Sequence, residues 1–135
     1  MAIAVLVMGA SGTGKSASLR NFRPDEIGVI NVAGKPLPFR SEIKSFKSDR
    51  YEEIEAILKK AKVKSLVIDD SQYLMAFKLI DKWQENGYGK YTEIARDFKR
   101  LIDTITEKTS PDTIVYFLHH VEQLDDGTYK AKTCG

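Results

Sequence analysis

Apolar residues in this chain occur in two kinds of pattern, and each kind predicts a different element. An apolar run at residues 3–8 predicts a buried strand, and residues 27–32 predict a second short strand. The runs at 65–70, which ends in two acidic residues, and at 113–118 are continuous rather than alternating. Runs without alternation are typical of strands that are buried on both faces of a parallel sheet. A shorter segment, 43–46, predicts a small edge strand.

Apolar residues at helical spacing predict helices between these strands. The first long helix opens after Asp49, because Asp49 and Glu52 have the form of a capping box. The second covers about residues 71–84 and the third about 91–108, and a short helix-compatible stretch, 17–21, follows the first strand. The side chains expected to face inward are Leu74, Phe77 and Ile80 in the second helix, and Ile94, Ala95, Phe98, Leu101, Ile102 and Ile105 in the third.

The alternation of strands and helices sets the fold class. It predicts an α/β fold in which a mainly parallel sheet is covered on both faces, a three-layer αβα arrangement. Asp126 and Gly127 stand between strand-like residues, and an Asp-Gly pair in that setting predicts a C-terminal β-hairpin within 121–132. At 135 residues, the chain fits a single domain covering 1–135.

Composition narrows the function classes only a little. The net charge of +2 comes from 21 basic and 19 acidic residues, which is too balanced to indicate nucleic-acid binding on charge alone. The single cysteine, Cys134, excludes an internal disulfide and fits a cytoplasmic protein. The apolar run at residues 3–8 is too short for a signal peptide or a membrane span, so we expect no membrane partner.

The strongest chemical signal follows the first strand. Residues 9–16 fit G-x-x-x-x-G-K-[ST] at every fixed position, and a glycine-rich loop between strand and helix is the context of a phosphate-binding P-loop. Glycines let the backbone wrap around a phosphate, so that N–H groups and the helix N-terminus point at the anion. Lys15 would reach the β- and γ-phosphates, and the Ser16 hydroxyl would bind a magnesium ion. The predicted nucleotide-binding residues are Gly9, Ala10, Ser11, Gly12, Thr13, Gly14, Lys15, Ser16 and Ala17.

Two acidic residues, Asp69 and Asp70, close the strand predicted at 65–70. Ligands of open α/β sheets bind at the carboxyl ends of the strands. A carboxylate there can hold the magnesium ion that bridges the phosphates, and we assign Asp69 to this metal together with Ser16. Asp70 would position or deprotonate the attacking water, or it would cap the next helix.

Two histidines follow the strand predicted at 113–118. Neighbouring residues of a strand point to opposite sides, so His119 and His120 do not form a zinc site. One of them could contact the γ-phosphate or its water, or it could be a half-buried histidine bonded to the backbone. The predicted catalytic residues are Lys15, Asp69, Asp70 and His119.

These features together resemble the additional-strand branch of P-loop NTPases, which includes the RecA-like and AAA ATPases. A closer resemblance is to phage-encoded RecA-like ATP-binding proteins of single-strand annealing and recombination. It rests on residues 9–16, 67–75, 91–95 and 116–120. RecA-like proteins draw their water-activating glutamate from outside the strand that ends in the metal-binding aspartate, and Glu42 and Glu122 are the candidates here.

The resemblance implies a position for one strand and roles for several side chains. Strand 113–118 would lie between 3–8 and 65–70 in the sheet, and a histidine at its end would occupy the position that senses the γ-phosphate. Lys130 and Lys132 resemble paired lysines that complete the ATP site of a neighbouring subunit. Members of the family continue past such a hairpin, which implies that 1–135 is a C-terminally truncated domain.

The function that the resemblance implies is magnesium-dependent ATP hydrolysis in phage DNA recombination or annealing, in the cytoplasm of a bacterial host. ATP and Mg²⁺ would be the cofactors, and single-stranded DNA the partner of the full-length protein, which would assemble into a homo-oligomeric ring or filament. A P-loop kinase of a nucleoside or nucleotide and a non-hydrolysing nucleotide-binding scaffold are the alternatives.

Overall fold

The computed structural model describes residues 2–9, 17–34, 42–84, 87 and 89–131, and they form strands and helices in alternation. The predicted runs and stripes are close to the observed elements, with shifts of a few residues at their ends. In chain order these are β1 (Ile3–Gly9), a 3₁₀ helix (Ala17–Asn21), β2 (Ile27–Asn31), β3 (Lys44–Lys47), α1 (Tyr51–Lys60), β4 (Ser65–Asp69), α2 (Gln72–Asp81), α3 (Gly89–Lys108), β5 (Ile114–Gln123) and β6 (Tyr129–Ala131).

The described strands form one sheet in the order β1-β5-β4-β2-β3, and β6 pairs with β5. Every pair along that path is parallel, whereas β5 and β6 are antiparallel. The predicted α/β class, the mainly parallel sheet and the C-terminal hairpin are therefore confirmed. So is the position of the strand from 113–118, because β5 lies between β1 and β4.

The two faces of the sheet carry different layers. The connections from β1 to β2 and from β2 to β3 cross the sheet in one direction, and those from β3 to β4 and from β4 to β5 cross back. Crossovers of one hand then place the two sets on opposite faces. In agreement, alternate residues of the central strands contact α1, α2 and α3 on one face, and the others contact Leu19 of the 3₁₀ helix and Ile43 on the other.

The prediction that β1 is a buried strand is wrong. β1 is at one edge of the described sheet and has β5 as its only neighbour in the described strand order. Ile3, Leu6 and Met8 are therefore about half exposed or more. The apolar run indicated a buried strand, but an edge strand with little cover from the helices carries the same pattern.

Side-chain predictions for all three long helices are also corrected. In α3, the exposed members of the predicted stripe are Ala95 and Ile102. Ile80 is 62% exposed, because α2 ends at Asp81 and its last turn lies beyond the core. The residue that caps α1 is Arg50 rather than Asp49, and it makes no side-chain cap bond. The side-chain hydrogen bonds at this helix start come from Ser48. Its hydroxyl accepts the N–H of Arg50 at 3.2 Å and donates to the Glu53 carboxylate at 2.6 Å.

Ion pairs join α3 to the other two long helices. Lys82 pairs with Glu93, and this partner holds the pKa of the Glu93 carboxyl below its usual value. On the other side of α3, Arg100 Nε donates to Glu55 Oε1 of α1 at 2.9 Å.

Among the described helices, none combines the length and the apolar composition that crossing a membrane requires.

Candidate functional site

Four neighbouring strands bring a glycine or a polar residue to the same end of the sheet. Gly9 of β1 is in register with His120 of β5, and Asn31 of β2 is in register with Asp69 of β4. Because the strands are parallel, Gly9, Asn31 and Asp69 lie at the carboxyl ends of their strands, where open α/β sheets bind ligands. His120 lies beside Gly9, although β5 continues to Gln123. The register therefore brings together the first residue of the glycine-rich motif, the predicted metal ligand and two further polar side chains.

Asp69 is the last residue of β4, and it is only 4% exposed. Its main chain continues the sheet, since its carbonyl accepts the N–H of Val32 at 3.2 Å. A single strand, β5, separates β4 from β1. With neighbouring strands about 4.8 Å apart, Asp69 and Gly9 lie on strands about 10 Å apart. Asp69 pairs with Leu118 and Gly9 with His120, so the two residues are also offset by two positions along β5.

Asp70 adopts the left-handed backbone conformation, with φ of 56°. This region is unfavourable for most residues with a side chain, and aspartate is among those that tolerate it best. The turn directs the buried carboxylate of Asp70 to the end of β5, where its Oδ1 lies 3.3 Å from Nε2 of His120. Non-glycine residues in this conformation are concentrated at functional sites.

His119 and His120 have different surroundings. His119 is 2% exposed, its ring lies edge-on to Phe98 of α3, and its Nδ1 lies 2.8 Å from the Ser71 hydroxyl. His120 is less buried and contacts Asp70. The two imidazoles therefore have different partners, and the absence of a shared zinc site stays a prediction. No group of three or more metal-ligating His, Cys, Asp or Glu side chains occurs within the described residues.

Gln72 and Asn31 are site residues that the sequence interpretation missed. Gln72 begins α2, and its Oε1 accepts the backbone N–H of His120 at 3.2 Å. Asn31 is buried at the end of β2, and its Oδ1 accepts the N–H of Gly34 at 2.9 Å. The signal for Asn31 was a polar residue inside the apolar run 27–32. Gln72 gave none, because an amide at a helix start is common.

Several predicted residues lie outside the part of the chain that the structure describes. They are Ala10, Ser11, Gly12, Thr13, Gly14, Lys15 and Ser16 of the motif, and Lys132 of the hairpin. Ala17 begins the 3₁₀ helix. The roles of Lys15 and Ser16 therefore stay predictions from the sequence.

The two glutamates considered for water activation lie apart from each other. Glu42 borders a cleft that also includes Gly28 and Lys44, close to the amino ends of β2 and β3. Asp69 lies at the opposite ends of the strands, the carboxyl ends. Glu122 is further along β5 than His120, and its carboxylate lies 4.0 Å from Lys130 Nζ across the hairpin.

Comparison of the chain with protein-family models and with curated protein sequences finds no significant match.

Proposed function

We propose that this chain binds ATP and hydrolyses it with magnesium, as a P-loop NTPase of RecA-like type. The observation that carries the proposal is where β1 ends. The strand that leads into the glycine-rich motif, β1, ends on the same side of the sheet as Asp69, at the carboxyl ends of the strands. Only β5 lies between β1 and β4 in the described strand order. A phosphate chain held by residues 9–16 would therefore lie beside that carboxylate.

Asp69 fits the magnesium role by its chemistry and its position. Its carboxylate supplies the hard oxygen that magnesium prefers, and it is buried at the carboxyl end of a central strand. Ser16 would supply a second oxygen. A magnesium ion held by these two residues would supply positive charge that stabilises the negative charge developing on the phosphates.

Asp70 fits the role of the group that acts on water. In hydrolysis the water oxygen forms a bond to the γ-phosphorus, the bond to the bridging oxygen breaks, and its electron pair leaves with ADP. Asp70 takes a proton from the water and releases it to solvent, and His120 holds the carboxylate in place. The role of His119 at the γ-phosphate stays a prediction, since its Nδ1 is occupied by Ser71.

We propose single-stranded DNA and further copies of the chain as partners, in phage recombination or annealing. The second arm of the hairpin supports a nucleic-acid contact, because Tyr129 is exposed and Lys130 lies beside it. Aromatic and basic side chains together bind the bases and phosphates of single strands.

Phosphate release from ATP, measured with and without magnesium and single-stranded DNA, tests the proposal. Wild type should turn over only with magnesium, and Asp69→Asn should lose about 100-fold or more while still binding ATP. Asp112→Asn is the matched control, because Asp112 is exposed and precedes the amino end of β5.

Three outcomes would contradict parts of the proposal. Normal turnover by Asp69→Asn would remove Asp69 from the metal site. ATP binding without turnover, even with DNA, would indicate the non-hydrolysing scaffold. Transfer of the γ-phosphate to a nucleoside or nucleotide would indicate the kinase.

A further inference from the structure

One side-chain amide at the strand ends has an unused donor. Gln72 is 5% exposed, and its Oε1 accepts the N–H of His120. A backbone N–H can only donate, so this bond fixes which end of the amide is oxygen and leaves Nε2 as the other. Nε2 is buried and has no hydrogen-bond partner among the described residues.

An unpartnered buried donor costs a folded protein free energy, because the group has lost its hydrogen bonds to water. Such groups are few in native structures, and each one requires an explanation. Here Gln72 lies two residues after Asp70 along the chain, and its amide is bonded to the histidine that contacts Asp70. The unused donor therefore lies within the candidate site rather than elsewhere in the core.

We infer that Nε2 of Gln72 donates a hydrogen bond to a γ-phosphate oxygen of the bound nucleoside triphosphate. This inference rests on the proposed function and adds to it a residue that distinguishes ATP from ADP. A hydrogen bond from a buried amide to a charged oxygen is charge-assisted and shielded from water, which makes it strong. ADP carries no γ-phosphate and leaves the donor unused.

The same amide would link the γ-phosphate to β5 through hydrogen bonds. Oε1 holds the backbone of His120, so a ligand oxygen bonded to Nε2 is two hydrogen bonds away from β5. β5 continues from this point into the hairpin with β6. The γ-phosphate is in this way connected to β5, and through the pairing of β5 with β6 to Tyr129 and Lys130.

The test compares the affinities for ADP and for a non-hydrolysable ATP analogue, with magnesium, by calorimetry. Gln72→Glu keeps an acceptor for His120 and replaces the donor with an oxygen, and Gln72→Met removes both. We expect each variant to bind the ATP analogue about 10-fold more weakly or worse, and ADP within about 2-fold of wild type. Thermal melting establishes that both variants fold.

Thr109→Val is the matched control. Like Nε2 of Gln72, the Thr109 hydroxyl is buried without a hydrogen-bond partner among the described residues. Unlike Gln72, Thr109 lies outside the candidate site, just after the end of α3. Its removal should leave the ratio of the two affinities unchanged.

Each contrary result has a distinct meaning. Folded Gln72 variants that keep the wild-type ratio would overturn the inference and leave the ATPase proposal standing. Equal weakening of both nucleotides would also overturn it, in favour of a structural role. A wild-type chain that binds neither nucleotide would overturn the proposed function and the inference together.

Discussion

At the scale of single residues, side-chain contacts as well as backbone hydrogen bonds join the start of α2 to residues 118–120 of β5. Ser71 donates its N–H to the Leu118 carbonyl at 3.0 Å, and its hydroxyl lies 2.8 Å from Nδ1 of His119. Gln72 and Asp70 each contact His120. The residues with proposed chemical roles are therefore held by neighbours that are distant along the chain.

Replacement of Ser71 by alanine tests the strength of this fastening. Ser71→Ala should lower the free energy of unfolding by about 1–3 kcal/mol, because a buried imidazole nitrogen loses this partner. Urea unfolding measures the change. Ser45→Ala, on the exposed strand β3, should change it by less than about 0.5 kcal/mol. Equal effects would show that the Ser71 hydroxyl does not stabilise the fold specifically.

The sequence predicted the position of Asp69 but not the pairings around it. An acid that ends an apolar run must lie at a strand end, and this can be inferred locally. The contacts of Asp70 with His120, and of Gln72 with the same residue, join positions about 50 residues apart. They depend on the register between β4 and β5, which no local pattern contains.

At the scale of elements, α3 shows how burial differs between neighbouring residues of one predicted stripe. Leu101 is fully buried, whereas Ile102 is 37% exposed. Helical spacing predicts which residues share a face, but the width of the covered face depends on the neighbours. α3 packs close to β1 at the edge of the sheet, so one side of its stripe has less cover.

This difference gives a paired mutational prediction. Leu101→Ala should cost about 2–5 kcal/mol, because it leaves a cavity in the core between α1, α3 and the sheet. Ile102→Ala should cost less than about 1 kcal/mol. Chemical unfolding of the two variants measures both values, and similar costs would contradict the burial assigned to this helix.

The hairpin turn has a pH dependence that can be measured on its own. Oδ1 of Asp126 accepts the N–H and the hydroxyl of Thr128 at 2.9 and 2.6 Å, and these bonds hold the pKa of the Asp126 carboxyl below its usual value. A lowered pKa means that the contact stabilises the folded turn above the ordinary aspartate range and is lost as the pH falls through the lowered value.

Nuclear magnetic resonance of the Thr128 amide follows this titration directly. We expect its shift to change with a midpoint below the ordinary aspartate value. Thr128→Val removes the hydroxyl donor, which is the largest cause of the lowering, and should move the midpoint upwards. An unchanged midpoint would exclude the hydroxyl bond as that cause.

At the scale of the whole molecule, the fold class and the place of one strand were the predictable properties. Runs of apolar residues gave the strands, and the resemblance of the motifs to RecA-like proteins gave the central place of β5. The length of β5 was not predictable, since residues 119–123 are polar or mixed and follow the apolar run. They remain in the strand because β1 pairs as far as His120 and β6 pairs beyond it.

Ligand binding should raise the stability of the whole domain. A nucleotide that binds only the folded chain stabilises it by about 2.7 kcal/mol at 100 times its Kd. Magnesium-ATP should therefore raise the melting temperature of wild type, and Lys15→Ala should abolish the rise. Lys59→Ala, at an exposed position of α1, is the control. A rise of equal size in Lys15→Ala would remove Lys15 from the nucleotide site.

The continuity of β5 also has a mechanical consequence. This strand is ten residues long, about 30 Å, and its first part is bonded on both sides while its last part is bonded to β6. A pull on the hairpin along the strand axis would load the bonds to β1 and β4 in shear, all at once. The bonds to both parallel neighbours resist such a load together, so the hairpin would transmit force to the sheet as a rigid attachment.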